Sequence, residues 1–406
     1  MAALPPIDTE RLIADRRDFH MHPELGYQEV RTAERVAQRL RELGYEVRTG
    51  VGKTGVIGVR RKDGTVERRK EQARRTRSDL PPFPRSVLLR ADMDALAVTE
   101  ANDLSFRSTT DGVMHACGHD GHIAVGLSVA QRLATADPPG AIKLVFQPAE
   151  EGGKGAVAVI DDGALEQPSP DAAFGMHLWS DLPTGVIAIA PGAVFASVDL
   201  LEITVTGRGG HAAMPHLAID PVVVAAHLVT ALQTVISRRR DPTHSAVLSV
   251  TAIHGGTTHN VIPDRATLLG TVRTYGGEFF DNAPTLIEEV ARGVARTFGA
   301  SAKVKYERLC PPTVNDGSMA ALMASVAEGI VGAGNVVPDY RTMAGEDMAF
   351  FLERVPGCYA FVGCRNPAKG ADHPHHSPHF NIDEDALTIA VELLSQTALR
   401  FLTSGM

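Results

Sequence analysis

Apolar residues in the first half of the chain alternate between helix-like and strand-like segments. Residues 7–22 and 31–43 have the apolar period of amphipathic helices. Short continuous apolar runs, typical of strands buried in a parallel sheet, occur at 87–89, 142–146 and 174–178. Alternating helices and strands predict an α/β domain in which helices flank a sheet.

The pattern changes in the second half, where strands alternate apolar and polar positions. We expect a compact α+β unit made of the strands 200–206, 246–253 and 267–274, the helices 220–238 and 284–298, and a last strand near 307. Helices return at 318–332, 346–354 and 383–402. The sequence therefore predicts a ferredoxin-like α+β domain at 192–308, inserted into a discontinuous domain formed by 1–191 and 309–406.

The composition is that of an ordinary globular protein, with 44% hydrophobic and 22% charged residues, and it excludes disorder and collagen repeats. A net charge of -8 favours neither a nucleic-acid nor an anionic-membrane partner. The first residues lack the apolar stretch of a signal peptide, and no uninterrupted apolar run approaches the roughly 20 residues of a membrane helix. Four widely spaced cysteines favour reduced thiols. We therefore expect a cytoplasmic protein.

One segment does not fit this scheme. Residues 60–85 contain ten basic and four acidic residues and three prolines, so they can bury little surface. A nucleic-acid patch and an extended surface hairpin are both open, and the composition favours the hairpin.

Candidate chemistry begins with a cysteine among clustered histidines. In HACGHDGH, Cys117 and His119 stand directly before a predicted helix, where a thiolate and an imidazole can share a metal ion. A buried thiol beside surface histidines is the alternative. The strand 142–146 runs into QPAEEGG, which places Glu150 and Glu151 at the carboxyl edge of the sheet. One can bind metal while the other remains free as a general base, although paired glutamates are usually a solvated face.

Two further histidines follow other predicted elements. His177 ends the strand 174–178, and His376 lies in HHSPHF near the end of the chain. Either one alone would more often be structural. Together with the cysteine and the glutamates, they supply N, O and S ligands at the ends of elements of one sheet, as a two-metal hydrolase requires.

A series of motifs covers almost the whole chain. It comprises RRDFHMHPELGYQE (16–29), RADMDAL (90–96), HACGHD (115–120), QPAEEGG (147–153), GMHLW (175–179), GRGGHAAMPH (207–216), NVIPD (260–264), AGEDMAFF (344–351) and HHSPHF (375–380). The series resembles the hippurate hydrolase and auxin-conjugate amidohydrolase branch of the aminoacylase and dinuclear-metal carboxypeptidase superfamily. The resemblance implies a phosphorylase/hydrolase-like mixed sheet flanked by helices for the α/β domain. The basic 60–86 stretch is a local extension that this pattern does not explain.

The resemblance implies roles for individual residues. It implies that two divalent ions are bound by Cys117, His119, Glu151, His177 and His376. Glu150 is implied as the general acid/base, and Asp92 and Asp94 as groups that orient the ligands or the base. Related carboxypeptidases have an aspartate where this branch has the cysteine. His375 is the rival to His376, and the spacing of His-Ser-Pro before the aromatic residue favours His376.

The resemblance also gives the inserted domain a purpose. It implies a lid and dimerisation module, so we expect a homodimer or homotetramer. Its histidine, His211, would stabilise the oxyanion in an active site that often belongs to the partner subunit. Asn260 and Arg273 are the positions that the resemblance offers for holding the substrate's carboxylate or amide oxygen.

The resulting hypothesis is a dinuclear-metal-dependent amidohydrolase that cleaves N-acyl amino acids to a carboxylic acid and a free amino acid. The alternative is a metallo-dipeptidase or carboxypeptidase acting on free peptides. A non-catalytic binding protein is disfavoured because every ligand and the base are intact. A thiolate ligand favours softer or borderline ions, so Mn and Zn are expected, with Co and Ni open.

Overall fold

The computed structural model describes residues 4–62, 85–152 and 154–403, so most of the basic 60–86 segment lies outside the described residues. The chain forms two compact units. Unit 1 comprises Met1–Gly192, Val314–Tyr340 and Asp347–Met406, and unit 2 comprises Ala193–Thr313 and Arg341–Glu346. The sequence pattern does not predict that Arg341–Glu346 belongs to unit 2. Main-chain hydrogen bonding explains this grouping, because the N–H of Ala196 donates to the carbonyl of Ala344.

The helices of the described chain differ widely in length. In chain order they are α1 (Thr9–Met21), α2 (Val30–Glu42), α3 (His119–Ala136), α4 (Gly155–Asp161), α5 (Pro221–Arg239), α6 (Gly277–Thr297), α7 (Gly317–Val331), α8 (Ala349–Leu352) and α9 (Asp385–Thr403).

The strands divide between one large sheet, one four-stranded sheet and short ribbons. They are β1 (Glu46–Val51), β2 (Gly55–Arg61), β3 (Ser86–Asp92), β4 (Ala141–Gln147), β5 (Ala172–Pro183), β6 (Ile187–Ala188), β7 (Gly192–Phe195), β8 (Val198–Thr206), β9 (Gly210–His211), β10 (Ala246–Gly255), β11 (Val261–Ile262), β12 (Arg265–Thr274), β13 (Ser301–Cys310), β14 (Thr313–Asn315), β15 (Val336–Val337) and β16 (Gly357–Arg365).

Unit 1 is built on a mixed eight-stranded sheet in the order β1-β2-β4-β3-β5-β16-β6-β15. The central strands β4, β3, β5 and β16 are parallel, and their apolar runs are buried. Asp92 pairs with Gln147, and Leu89 pairs with Phe174, which puts His177 level with Asp92. The carboxyl ends of the central strands therefore deliver polar side chains to one edge, as the sequence pattern predicts.

Unit 2 is an α+β layer pair. Its strands β8, β10, β12 and β13 form an antiparallel sheet in the order β10-β12-β8-β13, and α5 and α6 cover one face. This is the ferredoxin-like arrangement expected from the sequence. Among the described residues, α5 is long and apolar enough to cross a membrane by length and composition. Its buried residues, including Leu228 and Leu232, pack in the core of this unit.

Two predicted helices have the wrong bounds. The helix predicted to begin at Pro284 begins at Gly277 and contains that proline, because Phe279, Ala283 and Ile287 continue one face toward the core. The helix predicted at 346–354 is reduced to Ala349–Leu352. The residues before Ala349 do not extend this helix, because their main-chain groups bond elsewhere. Within unit 2, the carbonyl of Glu346 accepts a hydrogen bond from the Thr313 hydroxyl.

Candidate metal centre

Five elements of unit 1 meet at the carboxyl edge of its sheet. Cys117 lies just before α3, and His119 is the first residue of that helix. The turn after β4 carries Glu150 and Glu151, and β5 carries His177. The remaining groups come from the ends of β3 and from the segment before α9: Asp92, Asp94 and His376. The sequence-predicted metal ligands thus come from parts of the chain that are distant in sequence.

The candidate ligand atoms lie in overlapping groups. The ligand atoms of Cys117, Glu151 and His376 are within 4.8 Å of one another, and the same holds for His119, Glu150 and Glu151. Sγ of Cys117 lies 3.6 Å from Nε2 of His177. The structure therefore brings together all five predicted ligands and the predicted base.

Hydrogen bonds fix which nitrogen each histidine presents. Nδ1 of His119 donates to the carbonyl of Asp94 (2.8 Å), and Nδ1 of His177 donates to the carbonyl of Leu178 (2.8 Å). A carbonyl can only accept, so Nδ1 carries the proton in both rings. Each Nε2 is therefore the nitrogen with a lone pair available to a metal ion, as in metal sites whose ligands are oriented by a hydrogen bond from the other nitrogen.

His122 lies among the candidate ligands but is already engaged at both nitrogens. Its Nε2 accepts the Leu178 N–H (3.0 Å), and its Nδ1 donates to Oδ1 of Asp92 (2.6 Å). Asp92 also accepts from Arg90. The carboxylate of Asp92 is thereby held with Oδ1 at 3.8 Å from Nε2 of His119.

The two neighbouring histidines of HHSPHF occupy different environments. Nε2 of His375 donates to the carbonyl of Leu178 (3.0 Å), and its Nδ1 lies 2.9 Å from the Ser180 hydroxyl. Both of its nitrogens are therefore used. His376 has a φ of 66°, its N–H donates to the Ala116 carbonyl, and its Nε2 lies 3.2 Å from Oε1 of Glu151. This geometry favours His376 over its rival as a ligand.

Asp94 holds the main chain of both glutamates. Its Oδ1 accepts the N–H of Glu150 and its Oδ2 accepts the N–H of Glu151, each at 2.9 Å. The main-chain N–H of Asp347 lies 3.4 Å from Oε1 of Glu150. These contacts fix the position from which the two adjacent side chains enter the site.

The electrostatics of the site are those of a cation-binding cavity. Burial raises the pKa of the Cys117 thiol well above its usual value, and the charge of Glu151 raises it further. Burial lowers the pKa of His119, but the Asp92 carboxylate together with Asp94 and Cys117 outweighs burial and raises this pKa well above its usual value. A divalent cation would reverse both preferences, because the thiolate and the neutral imidazole are the forms that bind metal.

Buried atoms that lack a hydrogen bond show that the residues fit a metal ion. Among the described residues, the buried Nε2 of His119 has no hydrogen-bond partner, and the buried Oε1 of Glu151 makes no well-aligned hydrogen bond, although Nε2 of His376 lies 3.2 Å from it. Buried polar atoms are rarely left in this way. The donor set of one sulfur, one carboxylate and three imidazole nitrogens suits borderline transition-metal ions such as zinc.

Four residues that support the site received no role from the sequence. Arg90 and Gln147 donate to the buried carboxylate of Asp347, at 2.6 Å for Arg90 and 2.9 Å for Gln147. Glu29 accepts the N–H of Ala149. All four stand in the motifs quoted above, but nothing local distinguishes them from ordinary polar residues.

The remaining predicted residues belong to unit 2. The short ribbon of β9 and β11 pairs His211 with Val261, the residue after Asn260, so His211 and Asn260 lie together. Nδ1 of the exposed His211 accepts the N–H of Ala213 (3.0 Å), which leaves the proton on Nε2. Arg273 lies near the carboxyl end of β12 (Arg265–Thr274). It is half-buried, burial lowers its pKa, and it makes no hydrogen bond or ion pair within the described residues.

Comparison with known proteins gives consistent matches. The model of peptidase family M20/M25/M40 matches residues 88–400. Thermostable carboxypeptidase 2 of Saccharolobus solfataricus is 37% identical over 96% of this chain and 95% of its own. N-acetylcysteine deacetylase of Bacillus subtilis is 38% identical over 96% of each chain, and hippurate hydrolase of Campylobacter jejuni is 37% identical over 95% of each.

A solved structure matches over nearly its whole length as well. The Bacillus subtilis YXEP protein, described as a dinuclear metal binding peptidase from the M20 family, superimposes with a TM-score of 0.81. The two chains are 34% identical, and the match covers 97% of this chain and 98% of the other.

Proposed function

Because this chain belongs to peptidase family M20/M25/M40, we propose that it cleaves the amide bond of N-acyl amino acids to a carboxylic acid and a free amino acid. The observation that carries the proposal is the meeting of five N, O and S donor groups with Glu150 at one sheet edge. The relatives named hippurate hydrolase and N-acetylcysteine deacetylase support this substrate class.

The metal centre is assigned to the five predicted ligands. Two divalent ions would be held by Cys117, His119, Glu151, His177 and His376. Bound ions lower the pKa of a water molecule and polarise the substrate carbonyl. Mn or Zn is the proposed ion, with Co and Ni open, because a thiolate discriminates against Mg and Ca.

Glu150 is assigned the proton transfers. Its carboxylate takes a proton from the attacking water and passes it to the departing amine nitrogen, which is too basic to leave unprotonated. Asp94 fixes its main chain, and the N–H of Asp347 lies beside its Oε1. A general base must be held within reach of its proton, and these contacts support that role.

His211 is assigned to the oxyanion. Its Nε2 carries the proton and its ring is exposed, so it can donate to the oxygen that gains charge in the transition state. We assign this action to the active site of a partner subunit. Arg273 is assigned to the substrate carboxylate, which a guanidinium can bind through two hydrogen bonds, and Asn260 to the substrate's carboxylate or amide oxygen.

The proposed assembly is a homodimer or homotetramer joined through unit 2. The four-stranded sheet of unit 2 has β10 at one edge. The last three residues of this strand, 253–255, are exposed. Exposed edge strands are templates for pairing with another chain. A cytoplasmic location is proposed as well, and four buried free thiols support a reducing compartment.

The test is amine release from N-benzoyl, N-acetyl, longer N-acyl and dipeptide substrates by Mn-loaded protein, beside a Glu150→Gln control. We expect release from acyl amino acids that the control lacks. Release from dipeptides alone would instead support the metallo-dipeptidase or carboxypeptidase alternative, which the carboxypeptidase relative favours. No release from any substrate, with metal bound, would contradict both.

A further inference from the structure

We propose that Glu29 is a positioning residue that holds the turn carrying Glu150 and Glu151 in the conformation needed for metal binding and proton transfer. The catalytic part of this inference rests on the proposed function. Glu29 precedes the residues matched by the family model, which begin at 88. Its carboxylate accepts hydrogen bonds from the main chain of the turn and from a neighbouring hydroxyl, so its effect would be exerted through other residues.

Three successive main-chain N–H groups of the turn donate to carboxylate oxygens. Ala149 donates to Oε1 of Glu29 (2.9 Å), and the next two residues donate to Oδ1 and Oδ2 of Asp94. Hydrogen bonds to carboxylates are among the stronger ones in proteins. Glu29 and Asp94 together therefore hold the main chain on both sides of the point from which the two functional side chains leave.

The turn requires such an anchor because its first residue is strained. Ala149 has a φ of 49°, in the left-handed region that costs non-glycine residues about 1 kcal/mol or more. Gly26 packs against it: a Cβ at Gly26 would lie 3.1 Å from both Cα and Cβ of Ala149. The segment that contains Glu29 is thus in direct contact with the strained residue.

Glu29 is itself held rigidly. It is fully buried, and its Oε2 accepts from the hydroxyl of Thr54 (2.6 Å). The same segment is attached to the loop that carries Asp94, since the N–H of Ala95 donates to the carbonyl of Glu24 (2.8 Å). The two carboxylates that hold the turn are therefore fixed relative to each other.

Loss of this anchor would affect both glutamates, because Glu150 and Glu151 directly follow Ala149 in the chain. A small rotation of the Ala149 peptide moves a proposed ligand and the proposed base together. Replacing groups that orient metal ligands typically costs about 10–100-fold in metal affinity or activity. We expect an effect of that size from Glu29→Leu, which removes both accepted hydrogen bonds and fills the space with an apolar side chain of similar size.

The matched control is Glu24→Leu. Glu24 lies in the same segment and its carboxylate also accepts two hydrogen bonds, from the N–H groups of Arg31 and Thr32 at the start of α2. It does not bond to the turn. We expect this control to lower the melting temperature while leaving the metal centre unchanged.

Three readouts separate positioning from stability. Cobalt affinity is measured by quenching of Trp179, the single tryptophan, whose ring lies 5.1 Å from that of His177. Hydrogen exchange is followed in peptides covering residues 147–152. Amide hydrolysis gives kcat and KM separately. Glu29→Leu should weaken cobalt binding or lower kcat about 10–100-fold and speed exchange in the turn, with KM little changed.

Cobalt affinity, kcat and exchange within twofold of those of Glu24→Leu would overturn the proposal. If Glu29→Leu does not fold, Thr54→Val removes the hydroxyl that holds Glu29, and a fewfold change in the same readouts is expected; no change would overturn it. Failure of the wild-type protein to hydrolyse any acyl amino acid would refute the proposed function alone, since cobalt affinity and exchange still decide the role of Glu29.

Discussion

Sγ of Cys117 lies 3.6 Å from Nε2 of His177, inside a buried site that also contains carboxylates. A sulfur ligand in this position should set both the ion preference and the chemical sensitivity of the centre. Cys117→Asp replaces the thiolate with a carboxylate. We expect this variant to keep its metal sites but shift its relative affinity from zinc toward manganese, because carboxylate is a harder ligand.

The same substitution should remove sensitivity to peroxide. A metal-bound thiolate can be oxidised to sulfenic and then sulfinic acid, whereas a carboxylate cannot. Metal content by mass spectrometry and activity after peroxide treatment and metal return are the measurements, with Cys364→Ser as a control for a buried thiol outside the site. Equal loss of activity in wild type and Cys117→Asp would contradict sulfur ligation.

His375 and His376 should respond differently to substitution. His376→Ala should lose one of the two proposed ions, because its Nε2 lies beside Glu151. His375→Leu should keep the metal content of the wild type and instead lower the free energy of unfolding by about 1–3 kcal/mol, the cost of losing two partly buried hydrogen bonds. Metal analysis and urea unfolding check both outcomes, and loss of metal in His375→Leu alone would reverse the assignment.

The action of His211 across subunits can be tested by complementation. His211→Ala should lower kcat by about 10²–10³-fold, the cost of losing an oxyanion donor, with metal content unchanged. Mixing refolded His211→Ala and Glu150→Gln chains should then restore about one quarter of the wild-type sites, because a two-fold dimer of the two chains has one intact site. Mixed chains that remain inactive although they form dimers would place His211 in the site of its own chain.

Lys143 should make stability depend on alkaline pH. It is buried and donates to the carbonyls of Ala164 and Glu166, and burial lowers its pKa from 10.5 to about 8. Below about pH 8 both the folded and unfolded states hold the proton, and the folded state bears the cost of a buried charge. Between pH 8 and 10.5 the unfolded state binds more protons, so stability rises with pH.

Lys143→Met should abolish this rise in stability with pH. Relative to the variant, the wild-type free energy of unfolding should rise by up to about 3 kcal/mol between pH 8 and 10.5. Urea unfolding of both proteins across that interval measures the difference. Parallel pH profiles for the two proteins would show that the folded state keeps this lysine charged.

The sequence predicted the members of the site better than their supports. Cys117, His119 and Glu150 could be placed because each stands next to the predicted end of a helix or strand, and such ends meet at one edge of a parallel sheet. The choice of His376 over His375 rested on spacing alone. The structure supplies the physical reason, since both nitrogens of His375 are already engaged.

The supports could not be predicted because they act through main-chain groups distant in sequence. Glu29 reaches the N–H of Ala149, and His122 joins Asp92 to the N–H of Leu178. Neither contact produces a residue spacing that can be recognised in the sequence. The prediction for the start of α6 was wrong for a related reason. Pro284 is a good first residue of a helix, but Phe279 packs against the core of unit 2, so the helix begins before the proline, at Gly277.

The central claim is that two adjacent glutamates have different roles, one binding metal and the other moving protons. The most direct measurement is metal content together with amine release for Glu150→Gln and Glu151→Gln. Glu150→Gln should bind as much metal as wild type while its kcat falls by about 10²–10⁴-fold, and Glu151→Gln should lose metal. Wild-type turnover in Glu150→Gln, or equal loss of metal in both variants, would contradict the account.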